Sequence, residues 1–154
     1  MRLRTWLALG AAVTAGLLGA QPVVSAQAAA MVKYYADSGD SCRRGFTEGT
    51  LNWVEGPVIR PVVQVKGELS DESGITVCSP DQMHSQAAFV AYNGKTVVDR
   101  GIVKADNGVV PVAVALSDPN GVSAIDRVVV QVCRFSNSPV GISYCGKAVE
   151  YPRP

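Results

Sequence analysis

Chemistry first requires groups that can exchange protons or hold ions, and the chain offers one histidine, His84, in the run Ser79-Pro80-Asp81-Gln82-Met83-His84-Ser85. An imidazole can serve as the base of a Ser-His-Asp system, with Ser79, Ser85 or a remote serine as nucleophile. No Gly-x-Ser-x-Gly elbow supports that arrangement. The nearest fragment, Gly141-Ile142-Ser143-Tyr144-Cys145, lacks the closing glycine. A solvated polar residue in a connector between two strands is the plainer reading of His84. Carboxylates are plentiful, Glu68, Asp71, Asp99, Asp118 and Glu150 among them. Two of them could face each other as a glycosidase pair, but turns and outward strand faces account for nearly all. Asp118-Pro119-Asn120-Gly121 places oxygen ligands in a turn without the remaining positions of a calcium loop. The 15 glycines fall singly, with no phosphate-binding or dinucleotide motif. No catalytic residue, metal or cofactor is expected.

The four cysteines, Cys42, Cys78, Cys133 and Cys145, are the other reactive groups. They contain no C-x-x-C pair of the kind a zinc site uses. An even count in a small exported chain reads as two disulfides, with three possible pairings. Cys42–Cys78 and Cys133–Cys145 are preferred, the second because it would staple a turn-rich segment, Arg134 to Tyr144, between two strand-like runs.

Export is read from the first residues. Arg2 and Arg4 precede an uncharged apolar stretch, Trp6 to Ala20, which Gln21 and Pro22 break before small residues follow. That is the plan of a secretory signal peptide, cleaved after Ala26 or Ala28. The apolar run is short for a bilayer span, which needs roughly 20 residues. The expected organisation is therefore a signal peptide over 1–26 and a single secreted domain over 27–154. The full chain has 14 Lys+Arg against 13 Asp+Glu. Losing Arg2 and Arg4 leaves the remainder near −1, without the basic excess that nucleic-acid binding needs. No other stretch is long and apolar enough to enter a membrane.

The body that must position these groups carries strand signals almost throughout. Val62 to Leu69 alternates, with Val63, Val65 and Leu69 on one face and Gln64, Lys66 and Glu68 on the other. Pro61 suggests an edge or a strand beginning there. Asn93-Gly94 is a strong hairpin-turn signal, and Asn107-Gly108 repeats it between Gly101–Ala105 and Val109–Leu116. Arg127 to Val132 reads as a well-buried central strand. Thr50–Val54, Ile75–Cys78 and Lys33–Ala36 are further strand candidates, Ile142 to Val149 closes the chain, and Tyr151 to Pro154 reads as a tail unable to continue a ladder. Seven or eight short strands separated by turns predict an all-β, disulfide-stapled antiparallel sandwich. An immunoglobulin-like architecture is the specific expectation, with Trp53 eleven residues after Cys42. No cysteine is preceded two positions earlier by the tyrosine of that family's corner, so the expectation is one of architecture and not of membership.

For recognition, exposed aromatic and arginine side chains matter most, because they supply contact area at low entropic cost. Tyr92 at a hairpin tip, and Arg134, Phe135 and Tyr144 beside the last bridge, are the candidate binding residues. Tyr34-Tyr35 and Arg43-Arg44 are secondary candidates. The leader, rich in Ala, Val and Gly, and a small β-rich body containing Val130-Gln131-Val132-Cys133 and Tyr144-Cys145-Gly146, resemble small exported proteins of Streptomyces-type actinobacteria. That resemblance spans the whole chain and implies an extracellular location but no particular activity. No functional residue is carried over from it. The sequence points to a secreted, non-enzymatic module that binds an extracellular protein or glycan. A protease inhibitor presenting the bridged loop, or a small hydrolase, are the alternatives.

Overall fold

The computed structural model describes residues 30–40, 42–54, 62–71, 82–121 and 123–154. The signal peptide, Pro61, the Ile75–Cys78 strand and Cys78 itself lie outside them. Among the described residues there are nine strands: β1 (Ala30–Asp37), β2 (Gly45–Val54), β3 (Val62–Asp71), β4 (Met83–Asn93), β5 (Thr96–Ala105), β6 (Gly108–Ser117), β7 (Arg127–Ser136), β8 (Tyr144–Cys145) and β9 (Val149–Pro152). They form two antiparallel sheets. One has the order β1-β2-β3-β6, the other β5-β4-β7, with β8 and β9 both pairing β7.

Side chains alternate between faces along a strand, and that period of two decides which residues meet between the sheets. Leu51 and Trp53 of β2, Val63, Val65 and Leu69 of β3, and Leu116 of β6 fill one inner face. Phe89 of β4 and Val128, Val130 and Val132 of β7 fill the other. Tyr34 crosses the gap edge-on to Phe89, with ring centroids 5.6 Å apart. Burial pushes its phenol above the ordinary tyrosine pKa. β7 lies inside the second sheet, between β4 and the short β8 and β9, as its valine run predicts.

Two turns behave differently from their shared sequence signal. Gly94, at φ +58, closes a true hairpin between β4 and β5. Asn107, at φ +54, instead carries the chain from β5 in one sheet to β6 in the other. Both strands turn apolar residues inward, Val103 and Ala105 on β5 and Val110 and Val112 on β6, so the turn folds one layer over the other. This side of the sandwich is tied by the Ser117 amide, which donates to the Asp99 carboxylate at 2.9 Å.

The chain end corrects the sequence expectation. Tyr151 and Pro152 belong to β9, opposite Val128 and Arg127 of β7. Pro152 is tolerated because it is the last residue of an edge strand, where its missing N–H breaks no ladder. Tyr151 also closes the open side of the sandwich. Its hydroxyl accepts from the Tyr35 amide at 2.8 Å and donates to the Tyr35 carbonyl at 2.7 Å, occupying backbone groups that edge strand β1 would otherwise expose.

Cys133 and Cys145 are bridged, as expected. They are direct partners on β7 and β8, so this disulfide staples neighbours within one sheet instead of spanning the two. Cys42 is also disulfide-bonded.

Candidate functional site

Strands β1, β3, β5 and β7 end, and β2, β4, β6 and β8 begin, at the same end of the sandwich. The connections 38–44, 106–107 and 137–143 therefore emerge side by side. What holds them is polar, and most of it is buried.

Asp71, the last residue of β3, is 1% exposed and faces inward. One carboxylate oxygen accepts from Ser85 Oγ of β4 at 2.5 Å and lies 3.3 Å from Arg134 Nη1 of β7. The other accepts from the Asn107 amide at 2.9 Å. A single carboxylate thus joins both sheets and fixes the β5–β6 turn. Buried charge is tolerated only when paired and hydrogen-bonded in this way.

Asp40 does the same for the first loop. Its Oδ1 accepts from the Cys42 and Arg44 amides, each at 3.0 Å, and its Oδ2 from Ser38 Oγ at 2.5 Å and Tyr144 Oη at 3.3 Å. Burial alone would raise this carboxyl, but the four donors outweigh it and hold the group below its ordinary value of 3.8. The Tyr144 contact docks the loop onto β8. So does a backbone approach at Gly146, where a Cβ would run into the Asp37 carbonyl. Arg43, at φ +46, is turned so that its guanidinium sits 5.5 Å and 5.3 Å from the ring centroids of Tyr35 and Phe46.

A depressed folded pKa means that Asp40 contributes stability above about pH 4, and that this contribution is lost as pH falls through the folded value. Asp40→Asn should therefore be less stable than the wild type at pH 6, with the gap narrowing towards pH 2.5 as the native carboxyl takes up its proton. Urea unfolding midpoints at the two pH values measure it. A gap independent of pH would show that the charge at Asp40 is not what organises the loop.

The third connection is bracketed by the Cys133–Cys145 bridge. At its base the Asn137 amide donates to the Gln82 carbonyl at 2.8 Å. His84 Nδ1 lies 2.6 Å from Asn137 Oδ1 and Nε2 3.1 Å from Gln86 Nε2, which assigns the tautomer that donates from Nδ1 to the Asn137 side-chain oxygen and accepts at Nε2 from the Gln86 side chain. The imidazole stacks on Phe135 with centroids 5.7 Å apart. Ser138-Pro139-Val140-Gly141 forms a turn closed by the Gly141 amide on the Ser138 carbonyl at 3.1 Å, with proline at its favoured second position. Val140 is 91% and Ile142 82% exposed, the two most exposed large apolar side chains described.

The sequence candidates fall in three places. Tyr144 belongs to this end, through Asp40. Phe135 stacks on His84 and supports the bracketed loop from the outer face. Arg134 is 1% exposed and presents no surface to a partner; its place is the internal ion pair with Asp71. Tyr92 lies at the opposite end of β4, beneath the Arg127 guanidinium at 4.5 Å. Of the secondary candidates, Tyr34 is core, whereas Tyr35 and Arg43 share the outer cluster already described.

The catalytic alternatives have equally definite placements. Adjacent strand positions put the His84 and Ser85 side chains on opposite faces of the sheet, and Ser85 donates to Asp71. Asp118 accepts the Asn120 and Ser123 amides at 2.8 Å and 2.7 Å, so its oxygens are taken by the turn itself. Among the described residues no group of three or more His, Cys, Asp or Glu could hold a metal ion, and no helix is long and apolar enough to cross a membrane.

The sequence offers Asp71 only as one of many carboxylates of turns and outward strand faces, and assigns no site role to Asp40, Val140 or Ile142. The last two carried a usable signal. An uncharged, turn-rich segment closed by a bridge must expose whatever apolar residues it contains. No protein-family model, curated protein or solved structure matches the chain.

Proposed function

We propose that the protein is a secreted, non-enzymatic binding module of immunoglobulin-like sandwich architecture, whose contact element is the bridged loop 137–143. One observation carries the reading. The loop is fixed at its base by a disulfide, the Asn137 amide and the His84–Asn137 bond, yet its tip holds Val140 and Ile142 almost wholly in water. Apolar side chains held exposed side by side on an ordered loop offer contact area that a partner can bury at low entropic cost. Tyr144 and, in the adjacent connection, Arg43 suit the rim of such a contact. The partner class is an extracellular protein or glycan, and export is supported by the apolar leader and the disulfides.

The inhibitor alternative needs a bait segment held extended. Val140 occupies the third position of a closed turn, which favours a knob that enters a pocket over a strand that lies in a cleft. Affinity capture from culture medium, run in parallel with Val140→Asp/Ile142→Asp, tests the proposal. Partner recovery should fall at least about tenfold in the variant at unchanged thermal stability. Equal recovery would remove the loop from the contact. Inhibition of a subtilisin-like or trypsin-like protease by the wild type would transfer the reading to the inhibitor.

A further inference from the structure

The outer face of the β1-β2-β3-β6 sheet carries a charge pattern that nothing among the described residues satisfies. The strand registers place Tyr35, Glu48, Glu68 and Pro111 in one row across the sheet, and Lys33, Thr50, Lys66 and Ala113 in the next. Glu48 and Glu68 are direct cross-strand partners, an arrangement that repels. Lys33, Glu48, Lys66 and Glu68 are all exposed, and none of the four makes an ion pair among the described residues. A groove of about 600 Å³ lies over the Gly49 and Gly67 backbone, flanked by Lys33, Glu48, Thr50 and Glu68.

We propose that this face pairs with a second copy of the chain, about a two-fold axis that runs across the strands between the two rows. Rotation about that axis lays each row on the other row of the partner. Lys66 then meets the partner's Glu68, and Glu68 the partner's Lys66. Thr50 offers its hydroxyl to the partner's Glu48. Pro111 and Ala113 meet across the axis as small apolar residues that let the sheets approach. The face is self-complementary, which is what an isologous dimer requires, and the Glu48–Glu68 repulsion is relieved when it is occupied. Four strands of about ten residues span about 19 Å by 33 Å, on the order of 600 Å² per partner. That is the low end of specific interfaces, so the dimer is reversible and salt-sensitive. The face is on the side of the sandwich, away from loop 137–143, and the proposal does not depend on the loop's role.

Sedimentation equilibrium of the purified protein tests it, at loadings up to about 100 µM. The wild type should dimerise at low salt, with at least about tenfold weaker association at 0.5 M salt. Lys66→Glu alone and Glu68→Lys alone should each be monomeric, because each sets like charges against each other. An equimolar mixture of the two variants should dimerise again, as should the double variant Lys66→Glu/Glu68→Lys. The mixture separates charge pairing from damage to the fold. A wild type monomeric at low salt, a dimer unaffected by Lys66→Glu, or a mixture that fails to associate would each overturn the proposal.

Discussion

Asp71→Ala lowers the unfolding free energy by about 3–5 kcal/mol, the loss associated with stranding one partner of a buried ion pair. The carboxylate is the shared acceptor for Ser85 of β4, the Asn107 amide at the β5–β6 turn and the Arg134 guanidinium of β7. Its removal leaves a hydroxyl, an amide and a cation without that acceptor in a water-excluded layer. Arg134→Met should lose less, because Asp71 keeps the Ser85 and Asn107 donors and the methionine stem fills the arginine's apolar volume. Combining Arg134→Met with Asp71→Leu should recover much of the Asp71→Ala loss, since a hydrophobic replacement of both partners is often neutral. Urea unfolding of the wild type, Asp71→Leu, Arg134→Met and their combination closes a cycle and gives the coupling directly. A loss below about 1 kcal/mol for Asp71→Ala, the range of exposed ion pairs, would mean that the pair is not what joins the sheets at this end.

The alternation that identified β3 and β7 as strands already contained part of this answer. Val128, Val130, Val132 and Arg134 share one parity, so the period that buries the valines also buries the arginine. Treating Arg134 as a surface contact followed the general exposure of arginine over the local pattern. The partner was out of reach for a different reason. Asp71 lies 63 positions earlier, and the meeting of β3 with β7 depends on which sheet each strand joins, a property set by long-range packing and not by any local signal. The separation of Tyr92 from Tyr144 was legible in principle. Antiparallel strands alternate direction, so the end of β4 and the end of β7 must lie at opposite ends of the sandwich. Tyr151 was misread because the prolines around it look like loop punctuation, although an edge strand tolerates them.

Polar and apolar roles are divided between the loop end of this molecule's core and its middle. The middle rows of both sheets are valine, leucine, phenylalanine and alanine, and they supply non-directional burial. The loop end is built from Ser38, Asp40, Asp71, Ser85 and Arg134, whose directional bonds fix three connections relative to one another. Such a network adds rigidity where a greasier end would leave the loops free to re-pack. Rigid loops lose less entropy on meeting a partner, and this end of the sandwich is therefore the one suited to recognition.

Removing the Cys133–Cys145 bridge by paired alanine substitution should lower stability by about 3 kcal/mol, the chain-entropy value for a loop of this order. The effect is concentrated on β8, which has only two residues and two register partners on β7. The Gly146 amide, bonded to the Val132 carbonyl at 2.9 Å, should lose hydrogen-exchange protection first, while amides in β4 and mid-β7 exchange only through global unfolding. Tyr144 leaves with β8, so the first loop loses one of the four donors on Asp40. The proposed contact loop then keeps its sequence and its exposed Val140 and Ile142, but not the ordered base that presents them. Partner affinity should fall even at temperatures where the sandwich stays folded, because ordering a freed segment costs about 1–2 kcal/mol per residue fixed. Affinity unchanged in the bridge-free protein would mean that the partner reads a surface other than this loop. Affinity lost only in step with the unfolded fraction would assign the bridge to stability alone.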